Sequence, residues 1–224
     1  MSVFPHARYL LGAHEPHQCF ADEGVEVAFA GRSNSGKSSA INAIVQRHGL
    51  ARTSKAPGQT QLINFFELDR AGRRLVDLPG YGFAKVPRPL QIHWKRLLET
   101  YFNERESLAG LFIIIDIRRG IGDQDRQMMD FAVSRGRQVH WLLTKADKVS
   151  RQEGLKVLRE TQKAYPELTT AQLFSAVAKT GVDEARRVLK LMLAAGAQKK
   201  PDDGNPASGT DQSGLGAISG SEPA

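Results

Sequence analysis

The chain has 224 residues, 41% hydrophobic and 25% charged, an ordinary globular balance whose length allows one large domain or a domain with tails. No apolar run approaches the ~18–20 residues that span a bilayer, no charged-then-apolar leader opens the chain, and Cys19 has no second cysteine to pair with, so a cytoplasmic protein without membrane insertion is expected. Lys and Arg number 31 against 24 acids, a net charge of +7; from Ala197 onward there are two lysines and four acids, so the preceding 196 residues carry +9, which suits a polyanionic partner without naming one.

Residues 1–22, with Pro5 and Pro16, read as an irregular N-terminal segment. His14, His17 and Cys19 are close enough to be drawn as a metal site, but Pro16 between the histidines and the lack of a second Cys pair favour ordinary loop residues. From 23 to 196, short apolar runs alternate with segments of helical period. Val25–Ala30 reads as a strand, Lys37–Gln46 as a helix, and Gln61–Leu68 with Arg73–Leu78 as an antiparallel hairpin turning at Asp69–Gly72. Leu90–Glu106 reads as a helix. In the following strand, Leu111–Ile117, the run Leu-Phe-Ile-Ile-Ile has no polar residue, as in a strand buried on both faces of a parallel sheet. Asp123–Ser134, Ser150–Tyr165 and Val182–Ala194 read as helices, separated by the strands Val139–Leu143 and Ala171–Phe174. The expected fold is α/β, a mostly parallel sheet with helices on both faces, one antiparallel hairpin and one core. Residues 197–224 hold five Gly, four Ser and three Pro, with Leu215 and Ile218 as their only large apolar side chains, and read as a disordered tail.

Gly31-Arg32-Ser33-Asn34-Ser35-Gly36-Lys37-Ser38 fits GxxxxGK[ST] between a strand and a helix. Glycines let successive N–H groups curl around a phosphate at a helix N-terminus, Lys37 reaches the β/γ-phosphates, and the Ser38 hydroxyl is placed for Mg2+. Asp77-Leu78-Pro79-Gly80 ends a strand, where an acid can hold Mg2+ through water and the Gly80 N–H can sense a γ-phosphate. Thr144-Lys145-Ala146-Asp147 follows another strand, and Ser175-Ala176 a further one. An Asp carboxylate there accepts from both N1–H and the 2-amino group of guanine, while adenine offers neither donor. Taken alone, the Asp147 tetrapeptide could be a helix start with a capping acid.

In order and spacing, GRSNSGKSS, PGQTQLINFF, DLPGYG, TKAD and FSAVAKTG, spread over Val25 to Ala194, resemble the bacterial EngB (YihA/YsxC) GTP-binding proteins, P-loop GTPases grouped with Era and the septins. The resemblance implies a Ras-like G domain with a six-stranded sheet, binding GTP and GDP with Mg2+. It extends the nucleotide contacts to Ser39, to Gly58, Gln59, Thr60, Gln61 and Leu62 of switch I, and to Phe174, Ser175 and Ala176, the last two presenting backbone groups to guanine O6. Thr60 completes the Mg2+ ligands with Ser38 and Asp77, and Lys37, Thr60 and Gly80 act on the γ-phosphate. The family commonly has Arg where this chain has Gln59, which removes one positive charge. It is associated with assembly of the large (50S) ribosomal subunit and with cell division and septation.

Ras-like switches place Gln directly after the DxxG glycine to orient water; here that residue is Tyr81, so slow hydrolysis is expected. Asn34 matches the position from which related GTPases bind K+ near the phosphates, against the plainer reading that Asn tolerates a tight loop. Arg32 is expected to point away from the γ-phosphate. Arg70, Arg73, Arg74, Lys85, Arg88, Arg118, Arg119, Arg135, Arg137, Lys145, Lys148 and Arg151 read as a basic surface suited to ribosomal RNA phosphates. The resulting expectation is a monomeric GTPase switch on the 50S subunit or its precursor. Its rivals are a nucleotide-gated module with negligible hydrolysis and a septation factor whose partner is protein.

Overall fold

Alternation along the central strands dictates two apolar layers. In Val25–Gly31 every residue is buried, Val27 and Phe29 facing one layer and Ala28 and Ala30 the other. The same split divides Phe112 and Ile114 from Leu111, Ile113 and Ile115, because successive strand side chains point to opposite faces. The computed structural model describes residues 3–51, 62–69, 72–82, 88–165 and 169–198. Strands β1 (Arg8–Ala13), β2 (Val25–Gly31), β3 (Ile63–Glu67), β4 (Arg73–Asp77), β5 (Leu108–Asp116), β6 (Gln138–Thr144) and β7 (Thr169–Leu173) form one sheet in the order β1-β3-β4-β2-β5-β6-β7. Only β3 runs against the others.

Helices α1 (Lys37–Val45) and α5 (Val182–Gln198) cover the Phe29 face with Ile41, Ile44, Leu189 and Leu193. Helices α2 (Arg88–Glu104) and α3 (Asp123–Val133) cover the other with Leu97, Leu98, Phe102 and Met128, and α4 (Arg151–Ala164) packs beside β7. The expected α/β class, mostly parallel with helices on both faces, is the observed one. Arg186 of α5 reaches the C-terminal carbonyls of α1, donating to Ile44 at 2.9 Å and Ala43 at 3.3 Å, where a cation suits the helix end. The Ser150 hydroxyl accepts from the Glu153 N–H at 3.2 Å and starts α4.

Among the described residues the sheet has seven strands where six were expected, because Arg8–Ala13, read as irregular, is a strand. Its residues run from exposed to half-buried without alternation, ending in one buried Ala, so no periodic signal marks it. Pairing with the open edge of β3 makes it a strand, with a register shift between Tyr9 and Leu11 and Arg8 ion-paired to Glu67 at 2.6 Å. An otherwise unpaired edge is thereby covered. Residues 199–224, the bulk of the expected tail, lie outside the described residues.

A buried charge cluster closes the end of the sheet opposite the motif loops. Glu26, fully buried in β2, accepts from Arg74 Nε at 2.9 Å, from Arg105 Nε at 2.9 Å and Nη2 at 2.6 Å, and from the Tyr101 hydroxyl at 3.2 Å. Phe20 lies against the Arg74 guanidinium and Phe65 against that of Arg105, at 4.7 and 5.3 Å. This corrects the reading of Arg74 as a polyanion-facing charge: Arg74 is 4% exposed, whereas Arg73 stays partly exposed and pairs with Asp69 at 2.5 Å. Strand alternation turned one of the two inward, where only an ion partner makes burial of a guanidinium tolerable.

His140 is buried in β6, with its ring nitrogens 2.7 Å from Thr170 Oγ1 and 3.0 Å from Gln172 Oε1. Burial lowers its pKa from 6.5 to about 4. The unfolded chain therefore binds the extra proton first, and the neutral ring's contribution, whole above pH 6.5, is lost as pH falls toward about 4. Urea denaturation should show on the order of 3 kcal/mol lost across that window. A His140→Leu variant should lack this part of the pH dependence.

Candidate functional site

Parallel strands bring their C-terminal ends to one edge, and the motif loops leave from there. The loop after β2 turns through Asn34, at φ 61°, and Gly36, at φ 95°, into α1. Both φ values lie in the left-handed region, which Gly and Asn tolerate best. Lys37 is buried and its Nζ contacts Asp77 Oδ1, so the lysine of the first motif and the acid of the second meet. Ser38 is half-buried in the first turn of α1, with Ser39 exposed beside it.

The DLPG segment is stitched to this loop by backbone bonds. Leu78 N–H donates to Phe29 O at 2.9 Å, Ser33 N–H to Tyr81 O at 2.9 Å, and Tyr81 N–H to Gly31 O at 3.4 Å. A side chain at Gly80 would stand 3.8 Å from Gly31 O and from the Ser33 backbone. Pro79 is buried between.

The TKAD segment is strapped to the same loop. Thr144 Oγ1 donates to Ser35 O, and Lys145 Nζ to Asn34 O at 2.7 Å. Lys145, at φ 57°, also meets Asp116 Oδ2 at 2.9 Å. Ala146 N–H donates to Phe174 O at 3.1 Å, and Phe174 N–H to Leu143 O at 2.8 Å, which sets the loops after β6 and β7 against each other. Ser175 Oγ donates to Asp147 Oδ1 at 2.6 Å and accepts from Ala178 N–H at 3.0 Å, with Ala176 half-buried next to it. The Ser175 hydroxyl, foremost, lowers the Asp147 pKa and keeps the carboxylate ionised as an acceptor.

Of the candidate residues, 31–39, 77–80, 144–147 and 174–176 thus gather at one edge. Gly58, Gln59, Thr60 and Gln61 lie outside the described residues, and Leu62 leads into β3 half-buried. Ser38 hydroxyl and Asp77 carboxylate are hard oxygen donors of the type Mg2+ prefers.

Two acids that sequence reading passed over tie these loops together. Asp116 ends β5, 1% exposed, and accepts from Arg118 Nε at 2.9 Å and Nη2 at 2.7 Å as well as from Lys145. Arg118, and then Lys145, hold its carboxyl far below the usual range. An acid ending the all-apolar run of β5 was the signal available. Asp125, fully buried, accepts from the Tyr81 hydroxyl and the Gly122 N–H, both at 2.8 Å, and pairs with Arg32 Nε at 3.1 Å. Sitting in the first turn of α3, it also meets the positive end of that helix. Arg32 donates further to Gly120 O, so its guanidinium is committed to the α3 side. Burial and the Asp125 carboxylate push the Tyr81 hydroxyl well above its ordinary value, so it stays a donor.

Asp125→Asn keeps the shape, loses the charge facing Arg32 and turns one acceptor into a donor. It should cost ~2–3 kcal/mol of stability, read by urea denaturation.

Several charges of the basic surface are engaged within the chain. Arg118 is paired with Asp116, Arg119 donates to Ser33 O at 3.3 Å, Arg135 to Asn103 at 3.0 Å, and Arg137 to Arg105 O at 3.2 Å. Lys148 lies 3.4 Å from Asp147. Arg70 and Lys85 lie outside the described residues, and Arg88 and Arg151 are exposed. Among the described helices, none is long and apolar enough to cross a membrane.

Comparison with known proteins agrees with this geometry. The family described as "50S ribosome-binding GTPase" matches residues 26–145. A probable GTP-binding protein EngB of Stenotrophomonas maltophilia (strain K279a) is 53% identical over 187 residues, 82% of this chain and 93% of that protein. Among solved structures, a probable GTP-binding protein engB superposes with a TM-score of 0.62 at 19% identity, covering 76% of this chain and all of its own. A point variant of Aquifex aeolicus Era bound to GDP and AlF4- gives 0.61 at 23% identity, over 75% of this chain and 57% of the Era chain. The two superpositions speak for the fold, and the sequence match decides the family: the chain belongs to the EngB family of P-loop GTP-binding proteins.

Proposed function

We propose that this chain binds GTP and GDP through the loops described above, hydrolyses GTP slowly, and acts in the cytoplasm as a monomeric switch in 50S subunit assembly, a role linked to division and septation. The observation that carries the reading is the strapping of the base-side loop onto the phosphate-side loop through Lys145 and Asn34. It supports a single ligand reaching from the Asp147 carboxylate to the Lys37 ammonium.

The nucleotide-binding unit we assign runs over 23–196, with 1–22 preceding it and 197–224 as a tail. Residues 31–39 take the phosphates, Lys37 neutralises the β/γ oxygens, and Gly80 N–H faces the γ-phosphate. Asp147 accepts from the guanine N1–H and 2-amino group, Lys145 covers the base, and the Ser175 and Ala176 backbone meets O6, beside Phe174. Ser38, Thr60 and Asp77 would hold Mg2+, which supplies charge neutralisation between the phosphates. Gly58, Gln59, Gln61 and Leu62 complete switch I around Thr60. Asn34 would hold K+ near the phosphates; its left-handed backbone also supports the plainer loop role.

Slow hydrolysis is supported by Tyr81, whose hydroxyl is spent on Asp125 rather than on a water. The same contact favours the second reading, a nucleotide-gated module with negligible hydrolysis that acts on a protein partner in septation. GTP turnover in KCl, with and without purified 50S subunits, separates the two. Acceleration by 50S supports the ribosomal switch. Tight GTP binding with no acceleration overturns a 50S trigger and favours the occupancy reading.

A further inference from the structure

His14 follows β1 directly, Glu15 begins the 3-10 turn Pro16–Gln18, and His93 comes from α2. One ligand atom from each lies within 4.8 Å of the others, a grouping of ligating side chains that has Glu15 and His93 where sequence proximity suggested His17 and Cys19. Glu15 Oε1 is the hub, 3.9 Å from His14 Nδ1 and 3.8 Å from His93 Nδ1. The two rings are tilted by 47° with centroids 4.5 Å apart. His93 Nε2 lies 3.1 Å from His14 O. A carbonyl only accepts, so Nε2 carries the hydrogen, and in the neutral ring the Nδ1 lone pair faces the Glu15 carboxylate. This is the second contact that orients a metal-ligating imidazole in known sites. The turn is itself pinned, because Gln18 Oε1 accepts from the N–H groups of His14 at 2.9 Å and Glu15 at 3.0 Å.

In the neutral ring a lone pair facing a carboxylate oxygen at 3.8 Å is repulsive, and either a proton or a metal ion between them turns the contact attractive. A tetrahedral ion with bonds of ~2.0–2.1 Å has ligand–ligand edges of ~3.3–3.4 Å, so the hub distances need to close by only ~0.5 Å. Two imidazoles and a carboxylate are the donor set of borderline first-row metals rather than of Mg2+ or Ca2+, which prefer oxygen alone. All three side chains are partly exposed, at 44%, 47% and 26%, which leaves an entry path and a fourth position for water. None of them belongs to the nucleotide loops.

We propose that His14, Glu15 and His93 form a site for a divalent first-row metal, Zn2+ foremost, that clips the corner after β1 to helix α2. The ion links two segments far apart in the chain and stabilises the folded state by mass action.

The test uses the full chain without an affinity tag, with GDP and Mg2+ in excess, titrated with ZnCl2 by calorimetry and by thermal denaturation. One equivalent bound with a rise in Tm is expected. His93→Gln and Glu15→Gln should each weaken that event by more than ~tenfold, while His17→Gln leaves it unchanged. GDP affinity and metal-free Tm report that the variants fold. Failure of the wild-type chain to bind Zn2+, or binding that His93→Gln leaves intact, overturns the proposal. So does loss of binding in His17→Gln, which would move the ion to the His17 and Cys19 side.

Discussion

Replacing Asp147 by Asn is expected to weaken GTP and GDP binding by roughly 10²–10³-fold in a fluorescent-nucleotide titration. The carboxylate is held in one orientation by the Ser175 hydroxyl at 2.6 Å, and that hydroxyl is fixed in turn by the Ala178 N–H. The same bond keeps Asp147 ionised, so both oxygens accept, and a guanine offers two donors in a plane. An amide keeps one acceptor and turns its NH2 toward a donor, which removes a charge-assisted pair and leaves a clash of like groups. Xanthine, which carries a carbonyl where guanine has its 2-amino group, should regain part of the loss. Unchanged guanine affinity in Asp147→Asn would remove base recognition from this loop and leave Asp147 a capping acid.

The second large effect lies at the other end of the sheet. Glu26→Ala should cost ~3–5 kcal/mol in chemical denaturation, because it strands the guanidiniums of Arg74 and Arg105 without their shared anion. Domains of this kind are stable by only ~5–15 kcal/mol, so the variant stands near its folding limit. Saturating GDP should restore part of it, by about 2.7 kcal/mol at a hundredfold excess over Kd. That rescue would connect the folding of the sheet base to occupancy of the loops at its far edge. A loss under ~1 kcal/mol would mean that both arginines reach water when Glu26 is gone.

Element type was legible wherever the pattern was strong. The apolar run of β5, the hairpin of β3 and β4, and the helical period of α2 to α5 all fall within a few residues of their expected places. The GxxxxGKS, DLPG and TKAD segments were legible too as loops leaving strand ends, which the fold brings together. Strand β1 was not: its exposure pattern carries no period, and only the edge of β3 makes it a strand.

The sequence by itself determined which strand ends carry the motif loops, since glycines at φ-demanding positions and a strand preceding each motif are local facts. Tertiary structure alone decided which charges are spent. Arg74 and Arg118 looked like neighbours in a basic surface, yet one is buried on Glu26 and the other paired with Asp116. Asp125, an ordinary helix-start acid in the sequence, proved to be the anchor of both Arg32 and Tyr81. The physical reason is range. Backbone preference and burial period act over a few residues and can be read along the chain, whereas an ion pair is fixed by which strands and helices the fold sets side by side.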